Sequence, residues 1–309
     1  MRRRHFLAST AALASVPAGS SALAADAAEA AAASMPKLAP PARAAQLNLC
    51  LQWNSIPGGS IPEKLDFMEQ NGFAAIEVPS GDALLELADP MAKELEGRSL
   101  VVSTACGPSN FAWADKARRQ EQVDILKPVI EKLGLLKGVG LIVCPARNKP
   151  ELAFPELRQD FIENTGRQLA EHALKHNTTI ALEPLRRQET PFLRQVADGA
   201  MMAREIGAGA TVIGDFWHMH FEETSQMGAL ISAGSLLSHI HIASLKRRMV
   251  PGMDGDEDRY EDGFRALKLL GYRGAVSFEG GFPKDAPVET RIALLKDMCT
   301  LLREQWAEA

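Results

Sequence analysis

Short apolar runs alternate with longer segments of helical periodicity from Gln46 to the end of the chain. The runs are rich in Val, Ile and Leu, which is typical of parallel strands buried on both faces. There are eight of them, over residues 47–53, 75–79, 100–106, 138–145, 178–184, 211–218, 238–244 and 274–280. Because eight is the strand number of a closed (β/α)8 barrel, the pattern predicts one α/β domain of this class, a TIM barrel, over residues 46–309.

The segments between the runs predict the helices of this barrel. Several of them end in Gly or Asn-Gly, as helix C-termini often do. We expect helices over residues 61–70, 118–133, 155–176, 191–206, 227–233, 260–270 and 287–307. An open, doubly wound sheet would share this alternation, but it normally carries a glycine-rich phosphate loop after its first strand. Gly58-Gly59 matches that loop only weakly, so the barrel is preferred.

The N-terminal residues have the layout of an export signal. Three arginines at 2–4 precede Phe6 and an alanine-rich apolar run, and Ala22-Leu23-Ala24 supplies a small-residue cleavage pattern. We predict a twin-arginine-type signal peptide over residues 1–24, a cut after Ala24 and a periplasmic location. The run is shorter than the roughly 20 apolar residues of a membrane span, so no membrane contact is expected after cleavage. Residues 25–45, rich in Ala and Pro, predict a disordered linker.

Composition and charge narrow the class of protein. Hydrophobic residues make up 46% of the chain and charged residues 24%, which is enough to build a globular core without disulfides. The net charge is −5, and cleavage of the signal peptide would remove its three arginines and make the charge more negative. Binding of nucleic acid is therefore not expected. Four widely spaced cysteines outline neither a disulfide scaffold nor a zinc knuckle: Cys50, Cys106, Cys144 and Cys299. Buried thiols are expected, and export leaves one disulfide open as an alternative.

Four of the later strands end in a residue that can bind a metal: Glu183, Asp215, His241 and Glu279. All strand C-termini of a parallel barrel open onto one face, so these side chains should converge at the barrel mouth. Without a cation, carboxylates crowded in a low dielectric would raise one another's pKa. An isolated acid after a strand usually caps a helix or forms a surface ion pair, but four in a row point to a divalent metal site. His239, on the same strand face as His241, is expected to be a core histidine.

Motifs around these residues carry a family resemblance. They are Leu-Glu-Pro-Leu-Arg-Arg-Gln-Glu-Thr at 182–190, Asp-Phe-Trp-His at 215–218, His-Ile-His at 239–241 with Arg247 and Pro251-Gly252 after it, and Phe-Glu-Gly at 278–280. The sequence thereby resembles the xylose-isomerase-like barrel superfamily of sugar isomerases and epimerases. Within it, the motifs are similar to those of the ketose 3-epimerase group related to tagatose and psicose epimerases. Arg186 departs from that group, which usually carries Asn there.

The resemblance implies a metal-dependent isomerase or epimerase that acts on a small-molecule sugar. It makes Glu183, Asp215, His241 and Glu279 the ligands of one divalent ion, with Glu183 and Glu279 also acting as the catalytic acid/base pair. The oxygen-rich ligand set favours manganese, and leaves magnesium, cobalt or zinc open. In such a site the metal stabilises an enediolate, while one carboxylate removes a proton and the other returns it from the opposite face of the sugar.

Further residues are predicted to contact the substrate. The resemblance assigns contacts with hydroxyl and carbonyl groups to Glu189, His218 and Arg247. Glu77, at the end of the second apolar run, is also expected at the mouth. Glu189 could instead pair with Arg186, and Arg247 could belong to a solvated basic run. Three aromatic residues could wall a sugar pocket or simply pack in the core: Trp53, Trp113 and Trp217.

Other functions remain open at this point. The same carboxylates and metal could serve a lyase or hydratase that acts on a 3-keto-sugar or 3-keto-glycoside. A periplasmic sugar-binding barrel without turnover is a non-enzymatic alternative. The endonuclease branch of the superfamily is disfavoured, because it needs more histidines than this chain offers at the strand ends. Related barrels often pair, so a homodimer is one possible assembly.

Overall fold

The computed structural model describes residues 44–107, 110–147 and 149–309. Eight parallel strands close into a barrel in sequence order, which confirms the predicted (β/α)8 fold. The predicted signal peptide, and all but the last two residues of the predicted linker, lie outside the described residues. None of the helices in the described ranges is both long and apolar enough to cross a membrane.

Each strand lies at one of the eight apolar runs. The strands are β1 (Asn48–Gln52), β2 (Ala75–Val78), β3 (Val101–Cys106), β4 (Gly140–Val143), β5 (Thr179–Leu182), β6 (Ala210–Asp215), β7 (Leu237–Ile242) and β8 (Ala275–Phe278). The sixth run was expected to extend to residue 218, but β6 ends at Asp215 and a helix begins at Phe216. The Asp215 side chain accepts the first free N–H groups of this helix, which stops the strand there.

Ten α-helices surround the described part of the barrel. They are α1 (Ile61–Gln70), α2 (Asp82–Glu94), α3 (Lys116–Leu135), α4 (Phe154–Asp160), α5 (Gly166–Lys175), α6 (Val196–Ile206), α7 (Phe216–Glu222), α8 (Gln226–Ala233), α9 (Glu261–Leu269) and α10 (Val288–Glu308). The sequence pattern did not predict α2, which contains Pro90, or α7, which follows β6 without a loop.

Two predicted helices were wrong in their extent. The helix expected over 155–176 is divided into α4 and α5 by a π-helical turn, Phe161–Thr165. The helix expected from residue 191 begins at Val196, since the preceding residues form a turn in which Thr190 Oγ1 accepts a hydrogen bond from the Phe192 N–H (3.1 Å). Side-chain oxygens often divert the backbone from a helix in this way.

Alternation along the strands separates the two faces of the barrel. On β1, Leu49 and Leu51 join the large apolar core between sheet and helices, whereas Cys50 packs inside the barrel with Ala75 and Ala275. The same alternation brings eight side chains to the C-terminal end of the barrel, one at or next to the last residue of each strand. We call these eight residues the mouth ring: Gln52, Glu77, Cys106, Cys144, Glu183, Asp215, His241 and Glu279.

No disulfide joins cysteines of the described residues, so the structure gives no support to the disulfide that the sequence left open. Cys50, Cys144 and Cys299 are buried, as expected, and Cys106 is partly exposed at the mouth. Burial raises the pKa of the Cys50 thiol to about 12 and that of Cys299 to about 11, so both stay protonated.

Candidate active site

The structure brings the four predicted metal ligands together. One potential ligand atom from each of Glu183, Asp215, His241 and Glu279 lies within 4.8 Å of the others. His241 Nδ1 lies 3.4 Å from Glu183 Oε1 and 2.9 Å from Glu279 Oε2. Convergence at the C-terminal end of the barrel is what the order of the strands predicted.

Two atoms in this cluster lack the hydrogen bonds that burial normally demands. Glu183 Oε1 and His241 Nδ1 are both buried, and although they lie near each other and Glu279, neither makes a well-aligned hydrogen bond within the described residues. Buried polar groups without a partner are rare because their desolvation is costly. Three carboxylates and one imidazole provide an oxygen-rich set of donors, so the residues fit a divalent cation.

Asp215 has two roles in the local structure. Its Oδ1 accepts hydrogen bonds from the backbone N–H groups of Trp217 (2.7 Å) and His218 (3.3 Å), which caps α7. Its Oδ2 faces the cluster and accepts a hydrogen bond from Arg248 Nη2 (3.3 Å). The helix cap therefore fixes the direction in which the second oxygen points.

Glu77, at the C-terminal end of β2, contacts both histidines of β7. Its Oε2 accepts hydrogen bonds from His239 Nε2 (3.1 Å) and His241 Nε2 (2.9 Å), and its Oε1 accepts one from Gln52 (2.9 Å). Both oxygens of Glu77 are engaged and the residue is 1% exposed, although it lines a cavity with Trp53 and Cys106, so its contact with substrate stays a prediction. Its hydrogen bond to Nε2 orients the His241 ring, so that Nδ1 faces Glu183 and Glu279.

Glu77, His239 and His241 form a second group with metal-ligating atoms close together. The two groups share His241, whose Nε2 faces Glu77 and whose Nδ1 faces the carboxylate cluster. In the group of Glu77, His239 and His241, the nitrogen and oxygen atoms that face one another are already joined by hydrogen bonds. Each imidazole Nε2 contacts Glu77, and His239 Nε2 also lies 3.2 Å from Thr104 Oγ1. His239 is fully buried, in agreement with the expected core histidine.

The electrostatics of the mouth favour positive charge at His241. Burial alone would lower the pKa of His241, but the charges of Glu77 and Glu279 raise it well above its usual value. Burial would likewise raise the pKa of Glu279, yet His241 and Arg248 hold it to about 2. The pKa of Glu77 also lies well below its ordinary range, because the two histidines outweigh burial. A cation at Nδ1 would take the place of a proton that these carboxylates strongly attract.

Arg248, and not Arg247, reaches the cluster. Arg248 Nη2 donates to Glu279 Oε2 (2.7 Å) and to Asp215 Oδ2, and its guanidinium lies 4.4 Å from the centre of the Trp217 ring. The Arg247 side chain is 58% exposed and pairs with Asp254 (2.5 Å). The structure thus does not bring Arg247 to the site, because its neighbour occupies that position.

Glu189 and His218 lie near the mouth in different environments. Glu189 accepts a hydrogen bond from Arg186 Nε (3.0 Å), which is the pairing that the sequence left open. His218 is buried, and its Nδ1 accepts a hydrogen bond from the Arg186 backbone N–H (3.1 Å). Its Nε2 lies 3.5 Å from Asp215 Oδ2 and makes no hydrogen bond within the described residues. His218 therefore directs a ring nitrogen toward the ligand cluster.

The three tryptophans differ in their surroundings. Trp217 is buried at the mouth, with the Arg186 guanidinium 4.0 Å from its ring centre. Trp53 lines a cavity of about 360 Å³ together with Glu77 and Cys106. Trp113 lies 4.6 Å from the Arg118 guanidinium, in the segment before α3. Trp53 thus lines the cavity beside the mouth ring, Trp217 packs against Arg186 and Arg248, and Trp113 packs against Arg118.

Cys144 is a neighbour of the cluster that the sequence did not single out. Its thiol donates a hydrogen bond to Glu183 Oε2 (3.2 Å), and Arg147 Nη2 approaches the sulfur at 3.4 Å. Burial raises the pKa of Cys144 well above its usual value, and the Glu183 charge adds to this effect. The thiol is therefore a donor that fixes one oxygen of Glu183 and leaves the other for the cluster.

The sequence matches the family model of the xylose isomerase-like TIM barrel over residues 65–298. The chain belongs to this family. This xylose isomerase-like barrel is 27% identical over 241 residues to the 3-dehydro-D-guloside 4-epimerase of Escherichia coli (strain K12), which covers 74% of the chain and 90% of the relative. It is also 29% identical over 182 residues to the L-ribulose 3-epimerase of Methylomonas sp. (strain DH-1), which covers 59% of the chain and 62% of the relative.

Solved structures agree with the sequence relatives. The apo crystal structure of 3-keto-D-glucoside 4-epimerase from E. coli superposes with a TM-score of 0.73 and 25% identity, over 82% of this chain and all of the other. The relatives are sugar epimerases, which are enzymes of the isomerase class. The predicted family resemblance and enzyme class are thereby confirmed for this xylose isomerase-like barrel.

Proposed function

We propose that the protein is a divalent-metal-dependent epimerase that inverts a sugar carbon next to a ketone. The observation that carries this proposal is the placement of two carboxylates, Glu183 and Glu279, around His241 Nδ1. They come from different strands, and their ligand atoms lie within 4.8 Å of one another. A substrate held over the mouth would have one carboxylate available for proton removal and one for proton return.

The relatives indicate which kind of sugar would suit this site. A 4-epimerase of a 3-keto-glycoside and a 3-epimerase of a ketose both invert a carbon adjacent to a carbonyl group. A C–H bond in that position is acidic enough for a carboxylate to break, because the electron pair moves onto the carbonyl oxygen. We therefore propose a free ketose or keto-glycoside as substrate.

Each residue at the mouth has a distinct part in this proposal. One glutamate takes the proton from carbon, and the other delivers a proton to the opposite face, which inverts the centre. The Cys144 thiol holds Glu183 Oε2, and the Arg248 guanidinium holds Glu279 Oε2, so each carboxylate keeps a fixed orientation. Preorganised groups of this kind lower the barrier because little reorganisation is needed during the reaction.

Glu183, Asp215, His241 and Glu279 would hold the metal, and we propose manganese. When bound, a divalent ion supplies Lewis-acid stabilisation for the negative charge that develops on the substrate oxygens. His218, with its Nε2 directed toward Asp215, is placed to contact a substrate oxygen next to that ion. Glu189 would contribute a hydrogen bond at the rim only if its pairing with Arg186 opened.

The test follows proton exchange at carbon. Purified protein with manganese is incubated in D2O with a panel of free ketoses and 3-keto-glycosides, and products are identified by NMR. We expect deuterium next to the carbonyl and an inverted product, both lost after removal of metal and in Glu279→Gln. Glu289→Gln, an exposed carboxylate at the start of α10, is the matched control and should keep full exchange.

Two results would count against the proposal. If no substrate showed deuterium exchange although manganese was bound, the proposed epimerase reaction would be refuted. Exchange accompanied by loss of a substituent at the β-carbon would instead identify the lyase or hydratase that the same carboxylates allow.

We also propose export to the periplasm, which rests on the N-terminal arginines and the Ala22-Leu23-Ala24 pattern. The native protein should be recovered from a periplasmic fraction with Ala25 as its first residue, as read by mass spectrometry. Replacement of Arg3 and Arg4 by Lys should retain the full-length chain in the cytoplasm. An uncut chain in the cytoplasm of the unmodified strain would refute the export proposal.

A further inference from the structure

A second group of metal-ligating side chains lies on the outer ring of helices, away from the mouth. It consists of Glu131 on α3, His172 on α5, and His176 directly after the end of α5. One ligand atom from each of the three lies within 4.8 Å of the others. None of these residues belongs to the mouth ring, so this group is independent of the proposed reaction.

Local structure explains why the three side chains meet. His172 and His176 are four residues apart, which places them on the same face of the helix end. Their ring centroids are 4.8 Å apart, and His172 Nε2 lies 3.1 Å from Glu131 Oε1. All three side chains reach the surface, with Glu131 exposed and both histidines partly exposed. A dissolved ion can therefore reach the group.

Gly134 allows the two elements to approach this closely. A Cβ atom at this position would lie 2.3 Å from the carbonyl oxygen of His176 and 2.9 Å from its Cβ. Real Cβ atoms do not approach backbone oxygen at such a distance, so only glycine fits here. Glu131 lies three residues before Gly134 on the same face of α3, and the close contact delivers its carboxylate to the two imidazoles.

We infer that Glu131, His172 and His176 form a second, peripheral metal site for a transition-metal ion such as zinc. Two imidazoles and one carboxylate, with water in the fourth position, are a ligand set that zinc takes in tetrahedral sites. Tetrahedral bonds of about 2.0–2.1 Å place ligand atoms roughly 3.3 Å apart, close to the observed separation of His172 and Glu131. Imidazole donors favour zinc, copper or nickel over magnesium or calcium.

The expected consequence is a metal bridge between α3 and α5. Because the ion would bind the folded arrangement and not the unfolded chain, it would stabilise the barrel by an amount that rises with the logarithm of its concentration over its dissociation constant. The mouth offers three carboxylates and one imidazole, whereas the peripheral site offers one carboxylate and two imidazoles. The two sites should therefore differ in metal preference.

The test compares zinc stoichiometry between variants of the full chain. Protein stripped with chelator is incubated with excess ZnCl2, passed through a desalting column and analysed for zinc per chain. We expect His172→Gln and His176→Gln each to bind one equivalent less than the unmodified protein. His220→Gln, which removes an exposed histidine elsewhere, should bind the same amount as the unmodified protein. Circular dichroism checks that each variant is folded.

A second readout identifies the donors directly. With Cu²⁺, the EPR spectrum of the unmodified protein should contain a component with nitrogen hyperfine splitting from two imidazoles, and this component should be lost in His176→Gln. Because the zinc measurement is a difference between variants, it is valid whether or not the mouth binds metal. Equal zinc content in the unmodified protein and both histidine variants would overturn the peripheral site.

Discussion

The two halves of the mouth ring differ in chemistry although they arise from the same repeated unit. Strands β1 to β4 contribute Gln52, Glu77, Cys106 and Cys144, whereas strands β5 to β8 contribute Glu183, Asp215, His241 and Glu279. In the first half, the charged member is buried against two histidines and the others are neutral polar groups or protonated thiols. In the second half, all four can ligate a cation.

This contrast indicates that the two halves of the mouth ring have different roles. The second half supplies groups that would contact metal and substrate. The first half supplies donors and acceptors that orient them, as Glu77 does for His241 and Cys144 does for Glu183. A symmetrical barrel thus acquires a one-sided reactive centre, and substitutions in the two halves should differ in the size of their effects.

The largest expected effect comes from the second half. Glu183→Gln should lower kcat about 10²–10⁴-fold, because it removes a group proposed to transfer a proton. The measurement is kcat at saturating manganese with the substrate found by deuterium exchange. Cys106→Ser, on the other side of the ring, serves as the control and should stay within a few-fold of the unmodified enzyme. If Glu183→Gln lowered kcat by tenfold or less, the proposed difference between the two halves would be refuted.

Glu77→Gln should weaken metal binding by about 10–100-fold, as loss of a partner behind a ligating histidine typically does. In the unmodified protein, Glu77 helps to raise the His241 pKa, so manganese affinity should increase with pH as this ring loses its proton. In the variant, that increase should occur at lower pH. Isothermal titration with manganese at several pH values measures both effects. An unchanged affinity and pH profile would show that Glu77 does not act through His241.

Arg248→Ala should lower kcat/KM by about tenfold, since hydrogen bonds to charged groups contribute about 1.5–3 kcal/mol and this side chain is partly exposed. Arg247→Ala should remain within twofold, because its guanidinium pairs with Asp254 away from the cluster. Steady-state kinetics on the two variants test this difference. The reverse order of effects would restore the substrate contact that the sequence predicted for Arg247.

The smallest expected effect concerns Cys144. Cys144→Ala removes a hydrogen bond to Glu183 whose donor is a weak one, a thiol, so we expect a contribution of about 0.5–1.5 kcal/mol and therefore a loss of about two- to tenfold in kcat. Cys144→Ser retains a donor and should recover most of that loss. Steady-state kinetics on the two variants separates the effect of the hydrogen-bond donor from the effect of the side-chain volume. Equal activity of both variants would show that the hydrogen bond has no part in catalysis.

Much of this architecture could be predicted from residue order alone. The eight apolar runs specify the strands, and a residue that ends a strand must lie at the mouth of a parallel barrel. For that reason the sequence alone predicts one cluster of four residues: Glu183, Asp215, His241 and Glu279. The interior position of His239 followed in the same way from its spacing of two residues from His241.

The remaining features depend on geometry that the sequence does not encode locally. Arg248 has a φ of 54°, an uncommon conformation for a residue other than glycine, and this turn directs its side chain and not that of Arg247 to the cluster. Its carbonyl accepts a hydrogen bond from Gly281 N–H (2.8 Å), which joins the loops after the neighbouring strands β7 and β8. Likewise, Glu77 contacts residues more than 160 positions away, so its partners could not be read from neighbouring residues.

The double use of Asp215 has a consequence for how this family changes over evolutionary time. Its Oδ1 ends β6 and starts α7, whatever happens at Oδ2. A descendant that abandoned metal would therefore still be under selection to retain an aspartate here, to preserve the helix start. Glu183 and Glu279 cap no helix of the described chain and would be freer to drift. Retention of those two glutamates, more than of Asp215, would then be the better marker of the proposed reaction.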